Sequence, residues 1–179
     1  MSKDIEVITG CMFAGKTTEL LKRLKKTNKK YLLIKPKTDT RNAGDRLISH
    51  DGIEAQALTV HKLSDIFDKL DNIQLVAIDE AQFFDHTIIQ AINYLVAQKI
   101  KIMIAGLEKD YLNQPFGAMD KIIKMSTSIT RLHARCNQCG EDAYYSNRTT
   151  KKTKTQVLVG DSNNYEALCE ICFSKRVIL

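Results

Sequence analysis

The chain has 179 residues, 44% of them hydrophobic, and its formal net charge is +6 at pH 7. This length supports one substantial core and a small additional unit. No apolar stretch approaches the roughly 20 residues that a membrane-spanning helix needs, so we expect no membrane association. The residues before Ile5 lack the apolar region of a signal peptide, and we therefore expect a cytoplasmic protein.

The positive charge is dispersed, with small lysine clusters at residues 22–30 and 151–154. Such clusters are typical of a solvated helix face and a solvated loop, so no nucleic-acid partner is expected. A basic balance also suits a protein whose ligands are polyphosphates.

Strand-like and helix-like segments alternate along the first part of the chain. The predicted strands are residues 5–9, 31–34, 75–78 and 100–105, and the predicted helices are residues 17–28 and 87–98. Buried apolar strands that alternate with amphipathic helices indicate a parallel sheet covered on both faces. Residues 46–58 are more polar and contain the hairpin-type turn Asp51-Gly52, so we expect a small excursion from the sheet there.

A phosphate-binding motif lies between the first predicted strand and the first predicted helix. In such a loop backbone N–H groups converge on phosphate oxygens, and the helix that follows adds its N-terminal dipole. Lys16 is expected to reach the β- and γ-phosphates of ATP, and the Thr17 hydroxyl to ligate Mg²⁺. Cys11 is expected to be a small spacer rather than a nucleophile. The predicted ATP-binding loop comprises Gly10, Cys11, Met12, Phe13, Ala14, Gly15, Lys16 and Thr17.

The third predicted strand ends in two carboxylates, Asp79 and Glu80. Because side chains alternate along a strand, the two are expected to point to different sides. Asp79 is the candidate magnesium-side carboxylate, acting through a metal-bound water. Glu80 is then free to act as a general base, taking a proton from the group that attacks the γ-phosphorus.

Four cysteines form two Cys-x-x-Cys pairs, Cys136 with Cys139 and Cys169 with Cys172. Four thiolates complete a tetrahedral set, so a bound zinc would be structural rather than catalytic. The alternative is a disulfide or free thiols, but a cytosolic chain with an odd number of cysteines favours thiols and a metal. The pairs tie together both ends of residues 140–168, which suggests a loop held over a ligand.

These features predict an α/β fold of the RecA-like P-loop NTPase class, with a small C-terminal zinc-binding domain. The composition shifts to Cys, Asn, Thr and Lys from about residue 134. We therefore expect a nucleotide-binding domain at residues 1–133 and a zinc-binding domain at residues 134–179. No linker rich in Pro, Gly or Ser separates them, so the two parts are expected to pack together.

The nature of the nucleophile is the main functional question. An Asp-Glu pair at a strand end also belongs to ATPases that move along nucleic acids, in which the glutamate activates water. Here Phe83, Tyr111 and Phe116 follow predicted strands, at the edge where open α/β sheets bind ligands, and they favour a pocket for a base. A nucleic-acid-stimulated ATPase with a zinc ribbon and a non-catalytic nucleotide sensor remain the alternatives.

The motifs, in this order and spacing, closely resemble those of type II thymidine kinases over nearly the whole chain. The matching segments are residues 10–20, 39–41, 79–84, 106–107 and 115–117, with the two cysteine pairs and Gly160 and Tyr165 between them. The resemblance implies phosphoryl transfer from ATP, with Mg²⁺, to the 5′-hydroxyl of thymidine, giving dTMP. It also implies a homotetramer that dTTP inhibits.

The resemblance assigns roles to individual residues, with Glu80 as the general base. The further residues that it places near ATP are Thr18, Asp39, Arg41 and Gln82. The residues that it places in the nucleoside pocket are Met12, Phe83, Leu107, Tyr111 and Phe116. A lasso loop over the base is implied for Gln156, Val157, Leu158, Val159, Gly160 and Tyr165. Asp161 is expected to affect the lasso conformation. The positions at which the chain departs from the common pattern are Cys11, Ala14, Glu108, Tyr111 and Asp161.

Overall fold

A parallel sheet forms the centre of the structure. The structure is a computed structural model that describes residues 4–39, 44–49, 51–149 and 164–176. The strands are β1 (Ile5–Gly10), β2 (Tyr31–Pro36), β3 (Arg46–Ile48), β4 (Glu54–Gln56), β5 (Leu58–Val60), β6 (Leu75–Ile78), β7 (Lys101–Gly106), β8 (Ser128–Leu132), β9 (Ala134–Arg135), β10 (Asp142–Ala143), β11 (Tyr145–Arg148) and β12 (Tyr165–Leu168). The helices are α1 (Lys16–Lys26), α2 (Ile88–Ala97), α3 (Met119–Met125) and α4 (Glu170–Ser174), and Leu63–Lys69 and Ala81–Phe83 form 3₁₀ turns. Within the described ranges, no helix is both long and apolar enough to cross a membrane.

The central sheet has the strand order β5-β2-β6-β7-β1-β8 in the described part of the chain, and all its neighbouring strands are parallel. The four predicted strands correspond to β1, β2, β6 and β7, which are the inner strands. They are buried on both faces, which explains why they read as continuous apolar runs. The edge strands β5 and β8 were not predicted, because they contain exposed polar residues and no such run.

Hydrophobic clusters cover both faces of this sheet. On one face Ile92 of α2 and Ile122 of α3 belong to the same cluster as Val7 of β1. On the other face Leu20 of α1 belongs to a second cluster with Ile8 of β1. Adjacent residues of β1 therefore face opposite sides, as strand geometry requires. The prediction of an α/β fold with a parallel sheet covered on both faces is confirmed.

The polar stretch after β2 leaves the sheet, as the sequence predicted. Strands β3 and β4 pair antiparallel. The turn between them contains Gly52, which has a φ of 75° and donates its N–H to the Ser49 carbonyl oxygen at 2.9 Å. In the sequence this hairpin directly precedes β5, which is an edge strand of the main sheet.

The C-terminal part, residues 134–149 and 164–176, which we call the annex, packs against the phosphate loop. It contains the antiparallel pairs β9–β10 and β11–β12 together with α4. Cys11 of the loop shares a hydrophobic cluster with Ala143 and Phe173 of the annex. The expected packing of the two parts is therefore present, while the domain boundary at residue 134 stays a prediction.

Candidate active site

The phosphate loop, residues 10–17, connects β1 directly to α1. Gly15 precedes the helix with a φ of 81°, and Gly10 has a φ of 152°. A Cβ atom on Gly10 would lie 2.3 Å from the backbone oxygen of Leu132 in β8. Only glycine fits at that point, because real Cβ atoms do not approach backbone so closely. The loop is thus shaped by the sheet edge as well as by its own sequence.

The predicted magnesium ligands meet beside this loop. The Thr17 hydroxyl donates a hydrogen bond of 2.9 Å to Oδ2 of Asp79. Lys16 is buried, and its Nζ donates to the Cys11 carbonyl oxygen at 2.8 Å. A hydroxyl and a carboxylate are hard oxygen donors of the kind that Mg²⁺ accepts, and this ion usually takes few protein ligands beside water and phosphate. The pair Thr17 and Asp79 therefore fits a magnesium–nucleotide site.

Glu80, the predicted general base, follows β6 in an unusual backbone conformation. Its φ is 50° and its ψ is 44°, in the left-handed region that residues other than glycine seldom adopt. The side chain is largely buried, with 6% exposure. Strained backbone of this kind persists where its surroundings fix it, and such residues cluster at functional sites.

Gln82 connects Glu80 to the neighbouring strand end. Its Nε2 donates to the Glu80 carboxylate, and its Oε1 accepts the backbone N–H of Leu107 at 3.0 Å. A Cβ on Gly106 would lie 2.9 Å from Gln82 Oε1, and one on Gly117 would lie 2.2 Å from the Gln82 backbone oxygen. Two glycines thus make room for Gln82. The contact with Glu80 was missed by the sequence analysis, and the predicted contact of Gln82 with ATP stays a prediction.

Aromatic side chains predicted for the nucleoside pocket lie near these groups. Phe83 and Phe116 pack edge to face, with ring centroids 5.7 Å apart. Leu107 and Phe116 are buried. The loop that carries Tyr111 is fixed by Asp110, whose carboxylate accepts the N–H groups of the residues at positions 112 and 114, each at 2.9 Å.

Arg148 of the annex joins two other predicted pocket residues. Its guanidinium carbon lies 3.9 Å from the centre of the Tyr111 ring. Its Nη2 donates to the Tyr165 hydroxyl at 3.0 Å. Arg148 was not predicted, because no motif contains it. The available signal was strand alternation, since Ser146 and Arg148 are the buried residues of β11.

Ser146 contacts the phosphate loop from the annex and was also missed. Its hydroxyl oxygen accepts the backbone N–H of Met12 at 3.0 Å. Met12, predicted to contact both ligands, thus lies where loop and annex meet. Phe13 is 45% exposed, whereas Thr18 and Asp39 are buried. The predicted residues that lie outside the described ranges are Arg41, Gln156, Val157, Leu158, Val159 and Gly160.

The four paired cysteines converge in the annex. The Sγ atoms of Cys136, Cys139, Cys169 and Cys172 all lie within 4.8 Å of one another, and those of Cys139 and Cys169 are 3.6 Å apart. Sulfur atoms bonded to a tetrahedral zinc at about 2.3 Å lie about 3.8 Å apart. Desolvation raises the pKa of Cys136, but the backbone N–H groups of Cys169, Cys139 and Gln138 outweigh it and lower that pKa to about 6. The hydrogen bond with Cys169 raises the pKa of Cys172 to about 12, so the spacing of the four Sγ atoms is the feature that fits zinc.

Cys11, the fifth cysteine, belongs to the loop rather than to this cluster. Its Sγ donates to the Ala143 carbonyl oxygen at 3.1 Å. Burial raises the pKa of the Cys11 thiol, and the nearby Lys16 ammonium opposes that shift without reversing it. A protonated, buried thiol has little nucleophilic character, which agrees with the expected role as a spacer.

Comparison with known proteins agrees with this arrangement. The sequence model of the thymidine kinase family matches residues 3–173. A thymidine kinase of Bacteroides fragilis is 37% identical over 174 residues, which cover 96% of this chain and 87% of that protein. One of Bacteroides thetaiotaomicron is 38% identical over 172 residues, covering 94% of this chain and 86% of the relative. One of Mycoplasma mycoides is 37% identical, with 94% and 88% covered. The chain therefore belongs to the thymidine kinase family.

Proposed function

We propose that this protein transfers the γ-phosphoryl group of ATP to the 5′-hydroxyl of thymidine, giving dTMP and ADP for DNA precursor synthesis. The observation that carries the proposal is the position of Glu80. Asp79 and Glu80 directly follow β6. The Asp79 carboxylate accepts a hydrogen bond from the Thr17 hydroxyl of the phosphate loop. A general base beside a phosphate loop, followed closely by the packed aromatic pair Phe83 and Phe116, suits a substrate hydroxyl as the nucleophile.

Positioning and charge neutralisation carry most of the catalysis in phosphoryl transfer. In this proposal the backbone N–H groups of residues 10–17 hold the triphosphate, together with Lys16 and Thr18. The resemblance to type II thymidine kinases also assigns Asp39 and Arg41 to ATP binding. Thr17 and Asp79 hold the Mg²⁺ that accompanies ATP, and the ion neutralises charge on the phosphates when it is bound.

Glu80 accepts the proton of the 5′-hydroxyl. Gln82 supports this role, because its amide holds the carboxylate from one side and is itself anchored to the Leu107 N–H. The left-handed backbone at Glu80 turns the chain out of β6 at this point. A base must lie within hydrogen-bond reach of the proton that it removes, and a fixed carboxylate meets that requirement better than a free one.

The nucleoside lies, in our proposal, between the strand ends and the annex. Met12, Phe83, Leu107, Tyr111 and Phe116 form its pocket. The resemblance to type II thymidine kinases assigns Tyr165 and residues 156–160 to the lasso that covers the base. Zinc bound by the four-cysteine cluster fixes the annex and takes no part in the chemistry, because four thiolates leave no open position on the ion.

We also propose a homotetramer that is inhibited by dTTP, as the resemblance to type II thymidine kinases implies. A cytoplasmic location accords with the four-cysteine cluster, since thiols are kept reduced in that compartment.

The proposed function is tested by the dependence of ATP consumption on the second substrate. Purified protein with Mg²⁺ and ATP is assayed for ADP release with thymidine, with single-stranded DNA and with neither. Release of ADP that requires thymidine, matched by an equal amount of dTMP, supports the proposal. Stimulation by DNA without dTMP would instead identify an ATPase.

A further inference from the structure

The buried side chains of β11 contact both the phosphate loop and the loop that carries Tyr111. Ser146 and Arg148 are separated by one residue, so their side chains leave the strand on the same side. Ser146 bonds the backbone of Met12 in the phosphate loop. Arg148 contacts Tyr111, which lies in the loop after β7. The strand therefore spans from the phosphate loop to the aromatic loop.

Arg148 is placed unusually for a cation. Only 7% of the residue is exposed. Its guanidinium lies over the Tyr111 ring at 3.9 Å, and it also lies 5.5 Å from the centre of the Tyr165 ring while bonding that tyrosine's hydroxyl at 3.0 Å. A cation–π contact strengthens when it is desolvated, as here. Arg148 thus joins the loop of Tyr111 to β12 of the annex.

We propose that Arg148 is a positioning residue for the nucleoside: through these contacts it holds the side chains of Tyr111 and Tyr165 in place at the proposed pocket. The inference rests on the proposed function. Arg148 contacts the two tyrosines on the aromatic side of the site, whereas Ser146 bonds the phosphate loop. Loss of Arg148 should therefore weaken use of thymidine far more than use of ATP.

An arginine suits this position better than a lysine. Its planar guanidinium stacks on one ring while an in-plane N–H donates to the other tyrosine, whereas an ammonium on a flexible stem cannot fix both contacts at once. Arg148→Lys is therefore expected to restore only part of what Arg148→Met loses. That graded order would not arise if the residue only filled space.

The test compares Arg148→Met, Arg148→Lys and Tyr165→Phe with wild type, measuring KM for thymidine at saturating ATP and KM for ATP at saturating thymidine. Arg46→Met is the matched control, because Arg46 is an arginine with 75% of its side chain exposed. For Arg148→Met we expect KM for thymidine to rise about tenfold, with KM for ATP changed less than about twofold. Arg148→Lys and Tyr165→Phe should give smaller rises, and Arg46→Met none.

Coupling between the two residues supplies a second readout. Because the Arg148 guanidinium bonds the Tyr165 hydroxyl, the double variant Arg148→Met/Tyr165→Phe should raise KM for thymidine by less than the product of the single effects. Urea unfolding of each variant shows whether it is folded, and Tyr165→Phe, which removes one hydroxyl, carries the test if Arg148→Met does not fold.

The outcomes separate the inference from the proposed function. Wild-type protein that makes no dTMP would defeat the proposed function. If the wild type is active, two results for Arg148→Met would overturn the inference. One is a similar rise in KM for thymidine and KM for ATP, and the other is an unchanged KM for thymidine. A rise in KM for thymidine in the double variant that equals the product of the two single effects would overturn it as well.

Discussion

The side-chain amide of Gln82 donates a hydrogen bond to the Glu80 carboxylate while it accepts the N–H of Leu107. The ends of β6 and β7 are thereby joined through one buried side chain. The backbone of Glu80 is held in the left-handed region, and the hydrogen bond from Gln82 restrains the direction of its carboxylate. The proposed base is therefore part of a small buried network rather than an isolated acid.

Replacement of Glu80 by glutamine should separate binding from turnover. The amide keeps the size of the side chain but cannot accept the proton of the 5′-hydroxyl. We expect kcat with thymidine to fall about 10²–10⁴-fold, the usual contribution of a general base. The dissociation constant of ATP with Mg²⁺, measured by calorimetry, should stay within a few-fold of wild type. A kcat near that of wild type would contradict the assignment of Glu80.

Gln82→Met distinguishes positioning of Glu80 from contact with phosphate. Methionine fills a similar volume but removes both the donor to Glu80 and the acceptor for the Leu107 N–H. We expect kcat to fall about tenfold and stability to drop by about 1–3 kcal/mol, the cost of a buried group left without its partner. ATP affinity should be retained, as calorimetry would reveal. A large loss of ATP affinity would instead favour the contact with phosphate that the resemblance implies.

The cysteine cluster gives a prediction about metal. Cys169→Ser should lower the zinc content, measured by atomic emission, because one of four thiolates is lost. Affinity for thymidine should fall more than affinity for ATP, since the annex contributes Tyr165 to the proposed pocket. Equal losses for both ligands would point to general unfolding. Cys11→Ala is the matched control, because Cys11 bonds Ala143 outside the cluster and its loss should leave the zinc content unchanged.

Cys11 also gives a prediction about pH. Burial raises the pKa of this thiol above its ordinary value of 9.0. The folded chain therefore holds the thiol proton more tightly than the unfolded chain does. Its contribution to stability is fully present below the unfolded pKa and is lost as the pH rises through the folded pKa. The free energy of unfolding in urea should thus fall more steeply above pH 9.0 for wild type than for Cys11→Ala, and parallel curves would refute this.

The parts of the site that come from short motifs were predictable from sequence. The phosphate loop, the inner strands and the cysteine pairs each carry a local pattern that follows from backbone geometry or metal chemistry. The structure brings Thr17 and Asp79 together across 62 positions, and the expectation that both side chains serve the same Mg²⁺ anticipated that contact.

The remaining features depend on tertiary contacts that no local pattern records. Arg148 is one arginine among many basic residues, and only the pairing of β11 with β12 places it beside Tyr165. Gln82 lies within a recognised segment, yet its contact with Glu80 depends on the turn that follows β6. Strand β8 escaped prediction because an edge strand exposes polar side chains and lacks a continuous apolar run.

Gly10 is a motif residue that is required by a neighbouring strand and not only by the ligand. The glycine begins the phosphate loop, but the atom that excludes a side chain there is the carbonyl oxygen of Leu132 in the adjacent edge strand. A larger residue would first push β8 away from β1, before any nucleotide arrived. The first residue of the ATP motif is thus a point of close contact between two strands. Its mutation is expected to damage the sheet in the absence of ATP as much as in its presence.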